Sequence, residues 1–257
     1  MTHPPPGDDA AHGPSPDVGL LAHARAIATR LDTAHEAWVV GVARPVGVDA
    51  DLPSTSGDLN VVLSEAHATG AFPTGPLAYG RNPISIASEP PFHTARIDMP
   101  DDDGNPFISV ELELGPGGFV AVAGTRRGQV SPGTMTASHV FLADVEAGVA
   151  DLLVFLEVRC AQIGYRGPTR VLLALFCDVA DEPLGLRCLD EITGEMDLDV
   201  RHRAFDPMGF DYVVGENDLG HAAAYDIAVE LAERFGAPGP QLLLPPAIKA
   251  RAGSVAP

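Results

Sequence analysis

The sequence predicts an α+β fold in which an antiparallel β-meander packs against two or three helices. Three observations carry that expectation. Residues 92–123 hold three apolar stretches separated by turn-forming residues, the pattern of consecutive antiparallel strands. Residues 18–31, 138–163 and 221–235 repeat apolar side chains at helical spacing. The chain has 257 residues, 46% of them hydrophobic, with 27 Gly and 24 Pro, so it can bury a core built from many short elements. A single globular domain over residues 18–244 is expected, with a division into two lobes near residue 130 left open.

Residues 1–17 contain five Pro and two Gly and are expected to be a disordered tail. Asp17 suits a helix cap. Leu20, Leu21, Ala24, Ile27, Ala28 and Leu31 then make one helical face. Trp38 to Val42 reads as a strand stopped by Pro45, residues 45–57 as a loop, and Leu59 to Leu63 as another short strand. The stretch 66–91 is rich in Pro and Gly and reads as a long connection. Phe92 to Met99 leads through a Pro, Asp and Gly turn at 100–106 into Phe107 to Leu114. There Ile108, Val110, Leu112 and Leu114 alternate with Ser109, Glu111 and Glu113, which predicts a half-buried strand. Gly115-Pro-Gly-Gly118 turns the chain into Phe119 to Ala123.

Ser138 to Ile163 is the strongest helix, with a stripe of Val145, Val149, Leu152, Leu153, Leu156, Cys160 and Ile163, ended by Gly164. Arg170 to Val179 is an almost continuous apolar run, hence a strand covered on both faces. Short strands are expected within 184–216, including Met196–Val200 and Phe210–Val214. A last helix spans His221 to Phe235 before Gly236, and residues 245–257 read as a frayed tail.

The charge balance excludes more than it assigns. With 16 Lys+Arg against 35 Asp+Glu the formal charge is -19. Residues 1–128 carry 7 basic and 16 acidic side chains and residues 129–257 carry 9 and 19, so neither half offers a basic face to phosphates. Nucleic-acid binding is not expected. The bias to Arg over Lys, with abundant Ala, Gly, Pro, Asp and Val, is what a high-GC genome encodes. Of the 16 basic residues one is a lysine, Lys249, preceded by Pro-Pro-Ala-Ile. A phosphate-binding loop, a kinase strand lysine, a pyridoxal Schiff base and a Ser-Lys dyad each need a lysine in a setting the sequence lacks.

Three cysteines, Cys160, Cys177 and Cys188, form no CxxC, and an odd count argues against a disulfide framework. No secretory leader pattern and no apolar run near the ~20 residues that span a bilayer occur, so a cytoplasmic protein away from membranes is expected. Neither a metal nor a cofactor is expected. Placing Gly104 at the sixth position of an EF-hand loop leaves Met99 first and Val110 twelfth, so Asp101 to Asn105 reads as a solvated turn. The nine histidines form no HExxH, and no GxSxG is present.

What chemistry the sequence offers lies in two places. Asp178, Asp181 and Glu182 follow an apolar strand, where α/β enzymes place ligands and bases, although Pro183 equally suits a plain polar turn. Arg170, Arg201 and Arg203 are candidate anchors for an anionic ligand, with internal ion pairing as the alternative. Arg126-Arg127 is a further basic spot of the same ambiguity.

Gly164-Tyr165-Arg166-Gly167-Pro168, set between an apolar helix and an apolar strand, gives residues 92–245 a resemblance to a known region. It resembles the accessory region that follows the Schlafen-type AlbA domain in bacterial proteins described as ATP-binding. The glycine-rich core of the AlbA domain is not present. The resemblance therefore implies a stand-alone interaction or sensing module, with no nucleotide chemistry. Together these readings predict a non-enzymatic binding or protein-interaction module. Its partner would be a protein, one of basic charge if the acidic surface is the docking face, and homo-oligomerisation stays open. The alternatives are a small enzyme using carboxylates near Asp178 and Asp181 with an Arg anchor, or an acidic inhibitor of a basic toxin or nuclease.

Overall fold

A computed structural model of the protein describes residues 17–31, 33, 36–69, 84–100, 106–126, 139–178, 184–190, 194–202, 205–215 and 220–246. The tail expectations for 1–16 and 247–257, and the Asp101–Asn105 turn, lie outside these residues. The architecture is α+β: a seven-stranded antiparallel sheet with helices on both faces.

Helix α1, Val18–Ala28, is capped by Asp17, whose side chain accepts hydrogen bonds from the Gly19 and Leu20 N–H groups. Its buried face is Leu20, Ala24, Ile27 and Ala28, as the spacing predicts. Burying Leu20 and Ile27 contributes about 1.5–3 kcal/mol each. Strand β1, Trp38–Pro45, follows, and then helix α2, Ser56–Thr69.

Helix α2 corrects the expectation of a strand at 59–63. Its first turn carries a reciprocal cap: the Asp58 N–H donates to Thr55 Oγ1 at 3.1 Å and the Thr55 N–H donates to Asp58 Oδ2 at 2.8 Å. Leu59, Val62, Leu63 and Ala66 are then buried at helical, not alternating, spacing.

The meander is present and one strand longer than expected: β2 Ile84–Glu89, β3 Phe92–Pro100, β4 Pro106–Leu114 and β5 Val120–Arg126 pair in sequence. A 3-10 turn, Pro116–Gly118, joins the last two. Strand β6, His139–Phe141, leads directly into α3, Leu142–Gln162. Strand β7, Gly167–Phe176, returns through the sheet, β8 Leu184–Asp190 and β9 Gly194–His202 form a hairpin, and β10 Met208–Val214 precedes α4, His221–Arg234.

The large sheet has the order β10-β7-β1-β5-β4-β3-β2, so it draws strands from both sides of residue 130. Strand β1 lies between β5 and β7, with Val40 opposite Ala123 and Ala174. One face packs on α1 through Trp38, Val40, Val42, Phe119, Ala121, Ala123, Leu172 and Ala174. The other carries Val39, Ala43, Leu112, Val122, Val171 and Leu173 against α3, which is buried around most of its circumference. Helices α2 and α4 pack on α3, and the small sheet β6-β8-β9 contacts α3 through β6 and β8. Gly41 on β1 permits the contact of the large sheet with α3, since a Cβ there would lie 2.8 Å from Leu152 Cδ2.

The half-buried expectation for β4 also needs correction. Its polar face is covered where α1 crosses it, and Ser109 and Glu113 are 5% and 3% exposed. The alternation holds, but the polar side chains are partnered: Ser109 donates to Asp98 Oδ1 on β3 at 2.7 Å, and Glu113 is held by His23 of α1 and by Arg30 just beyond it.

Candidate functional site

Of the first expected carboxylate site, Asp178 alone lies among the described residues. Asp178 sits just beyond the end of β7, where its N–H donates to Thr33 O at 2.8 Å and its Oδ2 accepts from the Thr33 hydroxyl. That pairing ties the end of α1 to the end of β7. Arg170 lies near the start of the same strand, about 26 Å away at the rise of an extended chain. Asp181, Glu182 and Arg203 lie outside the described residues, and Arg201 is in β9. Cys160 is a core thiol that burial, aided by Glu157, pushes up to about 12, so it is inert as a nucleophile.

What the fold does assemble is a cleft of about 430 Å³ at the end of the sheet where β1 leaves and β5 begins. Its walls include His23 from α1, Arg44 from β1, Phe92 from β3, Phe119 and Arg170. The segment Val46–Val48 and Pro116-Gly117 complete them. Among the described residues no carboxylate lines the cleft, in a chain of formal charge -19.

Local chemistry fixes each wall. The Val46 N–H donates to Pro168 O at 2.9 Å, and Tyr165 Oη lies 2.9 Å from Val46 O and 2.7 Å from Pro168 O. The connector between α3 and β7 thus holds the loop that leaves β1. The opposite side of that loop is latched by the Gly117 N–H donating to Leu52 O at 2.9 Å. Gly117 has φ of 65°, and a Cβ there would lie 3.2 Å from both Ala50 Cα and Asp49 O. Only glycine combines that backbone conformation with so close an approach.

The interior is aromatic on one side and cationic on the other. The His23 ring is 4.7 Å from Phe92 and 4.2 Å from Phe119, whose own rings meet edge to face at 6.0 Å. His23 Nε2 donates to Glu113 Oε1 at 2.6 Å. Arg30, also from the α1 side, donates to Glu111 at 2.9 Å and to Glu113. The carboxylates that read as solvent-facing on β4 therefore orient α1 and the imidazole.

On the cationic side Arg44 and Arg170 are opposite one another in the β1–β7 register and on the same face. Arg44 Nη2 and Arg170 Nη1 both lie 2.8 Å from one atom, Asp17 Oδ2. Burial works to raise the Asp17 pKa, but hydrogen bonds from Arg170, the Leu20 N–H and Arg44 outweigh it and hold the carboxyl well below the usual range. Asp17 is 9% exposed, whereas Arg44 and Arg170 are 48% and 52% exposed.

The sequence singles out Arg170 as a candidate anchor, and the structure pairs it internally with Asp17; His23, Arg44 and Phe92 carry no such signal, because only strand register and the crossing of α1 place them together. Among the described residues no group of three or more His, Cys, Asp or Glu could hold a metal ion, and no helix is long and apolar enough to cross a membrane. No family model, curated protein or solved structure matches the chain.

Proposed function

We propose that the protein is a non-enzymatic binding module of the cytoplasm that seats a small ligand in this cleft and reports its occupancy to a protein partner. One observation carries the reading. The cleft has the volume of a small-molecule site and combines an aromatic wall with two half-exposed guanidinium groups that a single carboxylate, Asp17, shares from outside its described lining. A surface that served only solubility would not sort its charges in this way. The sensing or interaction role implied by the resemblance of residues 92–245 agrees with it.

Small anions and ring-bearing acids titrated into 15N-labelled protein test the reading. Amide shifts are expected at His23, Arg44, Val46, Gly47 and Gly117, and Val46→Trp, at an exposed position on the cleft wall, is expected to abolish them. Shifts confined to other parts of the molecule, or none with any member of the set, would refute it.

One arrangement favours a second reading, proton transfer in the same cleft. His23 is held by the buried Glu113 through Nε2, the geometry in which a carboxylate orients an imidazole general base. Turnover of a bound ester or phosphoester that is lost in His23→Gln while binding persists would select that reading.

A further inference from the structure

The geometry points to Asp17 as an internal occupant of an anion site: Arg44 and Arg170 form the seat for the carboxylate or phosphate of a ligand whose apolar ring or chain packs on Phe92 and Phe119, and Asp17 competes for that seat. The inference rests on the cleft being the binding site.

Like charges facing one another across adjacent strands repel, so an anion between the directly opposed Arg44 and Arg170 is favoured. Asp17 supplies one, and it does so with a single oxygen. Oδ2 takes both guanidinium groups, while Oδ1 caps α1 by accepting from Gly19 N at 2.8 Å and Leu20 N at 3.1 Å. The two tasks of this side chain are therefore separable by atom. Each guanidinium has five N–H donors in a planar fork. Each is half-exposed, lines the cleft, and gives one nitrogen to Asp17, so donors remain for a second anion arriving from the cleft side.

The charge count in the immediate pair is two cations to one carboxylate, with Asp211 on the neighbouring strand also acting on Arg170. An anion that engages both forks weakens the hold of Asp17, and removing the Asp17 charge frees both forks for the ligand. Apolar contacts complete the recognition: Val46 and Val48 join Phe92 and Phe119 around the same space, which suits a body bonded to the anionic head better than a bare ion.

Asn caps a helix as well as Asp does. Asp17→Asn therefore removes the competing charge while retaining the cap on α1, and the variant is expected to keep the wild-type circular dichroism spectrum. The probes are phenyl phosphate, benzoate and inorganic phosphate, measured by calorimetry against wild type, Asp17→Asn, Arg170→Gln and Val46→Trp. Phenyl phosphate and benzoate are expected to bind Asp17→Asn at least tenfold more tightly than wild type, Arg170→Gln at least tenfold more weakly, and inorganic phosphate more weakly than phenyl phosphate throughout. Binding that is sensitive to Val46→Trp but no tighter in Asp17→Asn would overturn the competition and leave the cleft reading standing. Binding indifferent to both Val46→Trp and Arg170→Gln, or no binding of any probe to wild type and Asp17→Asn, would overturn both.

Discussion

Glu146 on α3 is fully buried and has no cationic partner among the described contacts; it accepts three backbone N–H groups instead, from Gln241 at 2.7 Å and from Leu242 and Leu243 at 2.8 Å. Replacing it with Gln leaves one carbonyl oxygen and turns an NH2 group toward donors. Hydrogen bonds to a charged group contribute about 1.5–3 kcal/mol each, so a rigid count of three overstates the loss. The segment can leave instead. Detachment exposes Leu243, at about 1.5–3 kcal/mol, and breaks the contact of His221 Nε2 with Leu244 O, at about 1 kcal/mol. Detachment also gives up the three bonds, but freeing residues 241–243 regains about 1–2 kcal/mol of backbone entropy per residue, which roughly offsets them. Glu146→Gln should therefore destabilise by about 2.5–4 kcal/mol. Urea unfolding measures the loss, and hydrogen exchange at amides 241–243 should accelerate with it. A variant within about 0.5 kcal/mol of wild type, with those amides still protected, would show that the carboxylate does not hold the segment.

Two further substitutions have defined outcomes. Asp151 is buried in α3, its Oδ2 lacks a hydrogen-bond partner among the described residues, and burial raises its pKa well above 3.8. Because the folded state holds that proton after the unfolded chain has lost it, stability falls as pH rises above about 3.8 toward the folded value, by up to about 1.4 kcal/mol per pH unit. Asp151→Asn lacks that slope, so its stability relative to wild type should grow between pH 4.5 and 7 in denaturant titrations; a constant difference would mean Asp151 ionises in the fold. Gly117→Ala places a Cβ at positive φ and 3.2 Å from backbone atoms of 49–50, at about 1–2 kcal/mol. Thermal melts should fall by about 2–8 °C for a chain of this size, and an unchanged melting point would remove the latch from the account of the cleft.

Much of the fold was legible because its elements carry strong periodicity. The alternation of β4, the continuous run of β7 and the stripes of α1, α3 and α4 each match one period and are bounded by Asp17, Gly164 or Gly236. Helix α2 was misread because Leu59-Asn-Val-Val-Leu63 is too short and too β-branched for period alone to decide. The Thr55–Asp58 spacing carried the decisive signal, a reciprocal cap. The buried polar face of β4 was hidden for another reason: alternation says that two faces differ, not that α1 will cover the polar one. The cleft was the least legible feature. Arg44 meets Arg170 through a register between strands far apart in the chain, with no connecting turn to fix it as a hairpin turn would.

The position of β1 bears on how the protein comes to be made. The meander β2–β5 ends on β5, the β7–β10 pair ends on β7, and each presents an open edge until β1 is inserted between them. Trp38 must find Phe176, so β1 can pair with β5 once that strand has emerged, but the sheet closes on its other side only after β7 has emerged as well. Closing so long a loop costs little in equilibrium terms, about 0.6 kcal/mol per doubling of length. It is costly in time, since sequence-distant pairing slows folding. Until it is done, two unpaired edges are available to neighbouring chains. A nascent chain released before residue 176 would lack the strand that completes its central pairing.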